Sequence, residues 1–194
     1  MMMEPQDNYT YDVPNGATQS DISFIYREQD KTAEPKDDCP YHALDIAAAF
    51  LRLAQDETNH NPSLQFHLTN MKLQKLVYYA QLIMLRYKGK PIHSDNTHAW
   101  QYGPVCPTFY KKIKEFGSRE FSLGDTRMAE VFHDAKQLDE ESMKVVRLVW
   151  AKLKGASAYY LSMLTHRPHS AWAITYEANQ YGIIPIERMI AQGF

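Results

Sequence analysis

The sequence predicts a mainly α-helical protein, a compact orthogonal bundle of about six or seven helices with at most a minor β element near residues 97–102. Three observations predict it. Apolar residues recur with helical spacing in several separate segments, strand signals are sparse, and Ser, Thr, Asp or Pro stands before most of those segments, with Gly after many of them.

The first 38 residues stand apart from this pattern. They hold nine Asp/Glu against three Lys/Arg, a net of −6, and no sustained periodicity. Composition therefore divides the chain into an acidic extension, residues 1–38, which can be ordered on a partner, and a helical domain, residues 39–194. One apolar island interrupts the extension: Ile22, Ser23, Phe24, Ile25 and Tyr26. Phe24, Ile25 and Tyr26 are candidate contact residues, either docking back on the chain's own domain or ordering on a partner.

The first helix is expected to start at Pro40, behind Asp38 or Cys39 as cap, and to fade near Asp56. Leu44, Ala47, Ala48 and Leu51 make its buried stripe. The next helix is capped by Thr69 or Asn70 and ended by Gly89 and Pro91. Its stripe is Leu73, Leu76, Val77, Ala80, Ile83, Met84 and Tyr87, yet Tyr78, Tyr79, Leu82 and Leu85 are apolar on its other sides. A helix apolar nearly all round is a central, buried helix. Gln74 inside it must then tie to neighbouring backbone.

After an extended stretch at residues 97–102, Pro104 and Pro107 are expected to open a helix through Phe109, Ile113 and Phe116, with Gly117 as stop. A short helical piece is expected around residues 128–132. Asp139 caps a helix with Met143, Val146, Trp150 and Leu153 as stripe. Ser157, Ser170 and Pro185 each begin another.

The composition is that of a globular protein, with 44% hydrophobic and 23% charged residues, and 13 tyrosines that suit half-buried surfaces. Two cysteines without a redox motif, a polar start and no apolar run of about 20 residues predict a reduced cytoplasmic protein without a membrane span. Residues 71–120 carry nine Lys/Arg against three Asp/Glu, a net of +6. Such a patch suits nucleic acid, but is more often a solvated face or a patch that meets an acidic protein.

Catalytic patterns are scarce. His93 and His98, or His166 and His169, lack the further ligands that zinc needs, so no metal and no cofactor are expected. Cys106 stands before a helix, a position that lowers a thiol pKa, but nothing in the pattern names a base for it. No phosphate-binding glycine loop occurs. The chemistry-bearing cluster is aromatic: Tyr78, Tyr79, Trp100, Tyr102, Phe109 and Tyr110, interleaved with Lys72, Lys75, Lys111 and Lys112. A rigid aromatic surface ringed by lysines suits a protein partner and equally suits stacking of single-stranded bases.

A family resemblance rests on these residues. Lys72-Leu73-Gln74-Lys75-Leu76-Val77-Tyr78-Tyr79, then Gly89-Lys90-Pro91, then Trp100-Gln101-Tyr102-Gly103-Pro104-Val105-Cys106-Pro107, then Tyr110, resemble the Panacea antitoxin domain (SocA-like, phage-associated). Leu161-Ser162, Leu164-Thr165-His166 and Ala171-Trp172 continue the match, which covers roughly residues 41–192. Ala171, where the family usually has Pro, and Tyr160, where it is often acidic, depart from it. The resemblance implies a helical antitoxin that neutralises a co-encoded toxin by direct binding rather than by catalysis. A proteolytic adaptor delivering the toxin to a ClpXP-type protease is the alternative it carries; an enzyme using the Tyr/Lys/His166 cluster, or a nucleic-acid binder, stands behind both. The motif residues Lys72, Gln74, Lys75, Tyr78, Trp100, Tyr102, Gly103, Pro104, Tyr110, Thr165, His166 and Trp172 are the candidate partner-binding set. Trp100, Tyr102 and Tyr110 are expected to pack over the central helix, with Lys72 and Lys75 partly exposed. Gly103, Pro104 and Pro107 are expected to shape backbone.

Overall fold

The computed structural model describes residues 39–121 and 124–192. Eight α-helices and one two-stranded sheet stand among them. The first helix, α1, spans Ala43–His60 and so begins three residues later than Pro40 suggests. Its cap comes from elsewhere in the fold. The Ala43 N–H donates to the Asp95 carboxylate at 2.7 Å, and the His42 N–H to Asp45 at 2.7 Å. Charged acceptors at a helix N-terminus satisfy orphan donors and complement the helix dipole. Local sequence could name Asp45 but not Asp95, which lies 52 residues away.

The second helix, α2, spans Asn70–Lys88, with the Thr69 hydroxyl accepting from the Lys72 N–H and Gly89 closing it at φ 65°. Every residue from Lys72 to Leu85 is buried. This all-round burial makes α2 the axis of the core, as the sequence predicts. Burying one Leu or Ile side chain contributes about 2 kcal/mol, so Leu73, Leu76, Leu82, Ile83 and Leu85 together anchor the fold.

Strands β1 (His98–Trp100) and β2 (Gly103–Val105) form an antiparallel hairpin, pairing Ala99 with Pro104. Pro104 therefore belongs to a strand and does not open a helix. The reason lies in Ala99, whose N–H donates to Gly182 O at 2.8 Å and whose carbonyl accepts from Tyr181 N at 2.9 Å. Both bonds point away from β2, so the missing N–H of Pro104 removes nothing from the ladder.

Helix α3 (Pro107–Ile113) opens with Pro107 and runs through a 3-10 turn, Lys114–Phe116, to Gly117. The six-residue α4 (Thr126–Val131) is the short piece expected near 128. Asp139 caps α5 (Glu140–Leu153) by accepting from the Ser142 N–H, and α5 buries Val145, Val146, Val149, Trp150 and Leu153, with Met143 only partly covered. Ser157 and Ser170 cap α6 (Ala158–Thr165) and α7 (Ala171–Ala178). Pro185 precedes α8 (Ile186–Ala191). Around α2 gather α1, α5, α6, α8 and β2. No helix among the described residues is long and apolar enough to cross a membrane.

Candidate functional site

A tight hairpin leaves backbone carbonyls without ladder partners, and buried ones must be satisfied by other groups. Here side chains from three helices supply the donors. Trp172 Nε1 on α7 donates to Trp100 O at 2.9 Å. Just beyond α6, His166 Nε2 lies 3.1 Å from Gln101 O, and its Nδ1 lies 2.6 Å from Ser162 O. The Ser162 hydroxyl on α6 donates to Tyr102 O at 2.9 Å. From α2, Lys75 Nζ donates to Pro104 O at 3.1 Å, while Gln74 Oε1 accepts from the Cys106 N–H at 3.0 Å. Segments distant in sequence thus converge on one turn.

Gly103 sits at the centre of this clamp with φ +99°. A Cβ there would come within 2.7 Å of Thr165 Oγ1 and 2.8 Å of Lys75 Cε. Glycine is required twice over, for the backbone angle and for the space. Thr165 in turn donates its hydroxyl to Ser162 O at 2.6 Å, and Trp172 lies against the His166 ring at 3.8 Å between centroids.

Beside the clamped hairpin runs a groove of about 360 Å³ between the start of α2, the hairpin and α3. Met71, Trp100, Tyr102, Val105 and Tyr110 give it apolar walls, and Trp100 meets Tyr110 edge-on at 5.1 Å. Tyr102 is 64% exposed and Met71 37% exposed, so large apolar surface faces solvent at its mouth. Lys75 and Lys114 are its charged lining residues, with no carboxylate among them. Trp100, Tyr102, Tyr110, Gln74 and Lys75 line this groove together.

Several expectations need correction. Lys72 and Lys75 do not ring a surface: they are 3% and 1% exposed. Lys72 Nζ donates to Lys154 O at 2.7 Å, as Lys75 does to Pro104 O, so each aliphatic stem is buried and each amine ends on a carbonyl. Burial without a paired carboxylate pushes the Lys75 amine down to about 7 and the Lys72 amine to about 8. Tyr78 is buried, edge-on against Tyr79. Tyr102 does not pack down over α2 but projects outward. Thr165 is buried, and Trp172 nearly so.

Cys106 is a buried thiol at the N-cap of α3. Its Sγ lies 3.5 Å from Thr97 Oγ1 and 4.0 Å from His93 Nε2, but burial pushes the thiol up to about 12. Desolvation outweighs the helix N-terminus. Burial likewise pushes His93 down to about 4, so the pair is neutral at pH 7. Among the described residues no group of three or more His, Cys, Asp or Glu stands in position to hold a metal. Phe24, Ile25 and Tyr26 lie outside the described residues.

Met71, Val105, Lys114 and Ala158 line the groove without having been singled out. Met71 was findable, because it precedes Gln74 and Lys75 by three and four positions on one helix face. Ala158 was not, since only the packing of α6 beside the hairpin brings it there.

Residues 73–173 match the antitoxin SocA-like, Panacea domain, and the chain belongs to this family. A segment of 57 residues is 39% identical to the antitoxin SocA of Caulobacter vibrioides (strain NA1000 / CB15N), covering 29% of this chain and 30% of that relative. No solved structure matches.

Proposed function

We propose that this chain is the antitoxin of a toxin–antitoxin pair and neutralises its cognate toxin by direct binding at the groove beside the hairpin. One observation carries the reading. The hairpin is clamped by Trp172, His166, Ser162 and Lys75, and that clamp holds Tyr102 out beside an apolar, carboxylate-free groove. Rigid aromatic side chains contribute contact area at low entropic cost, and such anchors dominate protein interfaces. Neutralisation by binding asks nothing of a nucleophile or base, which suits the buried, neutral Cys106 and His93. Family membership supports the same reading, and the antitoxin SocA of Caulobacter vibrioides is similar over 57 residues, 30% of its own length.

The test is co-expression with the adjacent open reading frame. That frame alone should arrest growth, this chain should restore it, and the two proteins should elute together. Tyr102→Ala should weaken the complex by about tenfold or more. Rescue with no complex would sink direct binding. If the partner's half-life also shortened in a protease-dependent way, delivery for proteolysis would replace it.

A further inference from the structure

We propose that the groove's resident occupant in the free protein is this chain's own Ile22-Ser23-Phe24-Ile25-Tyr26 segment. The groove sets three demands. Its volume of about 360 Å³ falls within the range of sites that enclose a ligand, so it takes large side chains rather than a single methyl. Met71, Trp100, Tyr102, Val105 and Tyr110 ask for an apolar occupant. Lys114 in the lining, and the exposed Lys111 one turn before it, ask for negative charge around it.

Residues 22–26 meet these demands. They are the apolar island of the 38 residues before Cys39, flanked by Asp21, Arg27, Glu28 and Asp30, a local net of −2. In an extended chain Ile22, Phe24 and Tyr26 share one face, which presents large apolar groups at the strand repeat. The 38 residues as a whole carry a net of −6. Complementary charge of this kind steers and orients a contact whose affinity comes from the apolar anchor.

Reach does not limit the contact. Residues 27–38 join the island to Cys39, and at about 3.3 Å each they extend to roughly 40 Å. A domain of this size has a radius of gyration of about 15 Å, so either end of the bundle lies within range. Gln74, which lines the groove, has a buried Nε2 with no hydrogen-bond partner among the described residues.

The test uses the full chain alone, with Phe24 replaced by the photocrosslinker p-benzoylphenylalanine. Irradiation should give a monomeric adduct joining residue 24 to peptides within 69–75 or 100–118. Tyr102→Asp, a change at an exposed position, should cut that adduct by about tenfold. An adduct between two chains, one on another surface, no adduct, or one unaffected by Tyr102→Asp would each overturn the proposal. No toxin is present, so the outcome is independent of the antitoxin reading.

Discussion

Gly103 is where side-chain and backbone demands meet. Its positive φ and the 2.7 Å approach of Thr165 Oγ1 leave no room for a Cβ. Gly103→Ala should cost about 3 kcal/mol in urea unfolding, combining left-handed strain with overpacking. Gly117→Ala, at φ +59° with nothing within 4 Å of the new Cβ, should cost only about 1 kcal/mol. Lys75 gives a second prediction. Its amine is pushed down to about 7 in the fold, so the folded chain binds fewer protons than the unfolded one between pH 7 and the ordinary lysine range. Stability should therefore rise with pH from 7, at up to about 1.4 kcal/mol per unit for one such group. The cost of burying the charge is fully present below pH 7. Lys72, pushed to about 8, adds to the rise above pH 8. Cys106 and Cys39, both raised by burial, act in the opposite sense above pH 9. Urea unfolding between pH 7 and 9 should show the rise in the wild type and a much flatter profile in Lys75→Met.

At the scale of elements, the caps divide into local and distant ones. Thr69, Asp139, Ser157 and Ser170 each accept an N–H two or three positions inside their own helix, which makes them legible from sequence. Asp95 reaches the start of α1 through the fold and could not be read that way. The hairpin follows the same division. An extended stretch near 97–102 was legible, but its return strand was not, because Pro104 normally opposes strand pairing. The clamp predicts that Trp172→Phe, which removes the Nε1 donor to Trp100 O and keeps the ring, should destabilise the protein by about 1–2 kcal/mol. It should also increase hydrogen exchange across 98–105 more than across α5, measured by mass spectrometry.

For the whole molecule, the question is how scaffold and surface are separated. Tyr102 is 64% exposed, so Tyr102→Ala should leave stability within about 0.5 kcal/mol of the wild type while weakening the toxin complex. Melting temperature and co-elution, measured on the same preparations, check this. Trp172→Phe should instead lower both. The motif residues differ in burial. Lys72, Lys75, Tyr78, Thr165 and Trp172 are buried, and of these Lys75 and Trp172 bond the hairpin's carbonyls. Tyr102, with Trp100 and Tyr110 behind it, belongs to the surface.

Periodicity and capping by themselves determined that the chain is helical, that α2 is its buried axis, and where most helices start and stop. These are local properties, set by residues within one or two turns of each other. Motif residues also carried the family resemblance. Only the tertiary structure decided what those residues do. Lysines that look like a basic rim become buried donors, because backbone carbonyls from the hairpin and from the end of α5 come within reach of their amines. Whether a long polar side chain ends in water or on a carbonyl depends on what packs above it, and that information is spread over segments far apart in the chain.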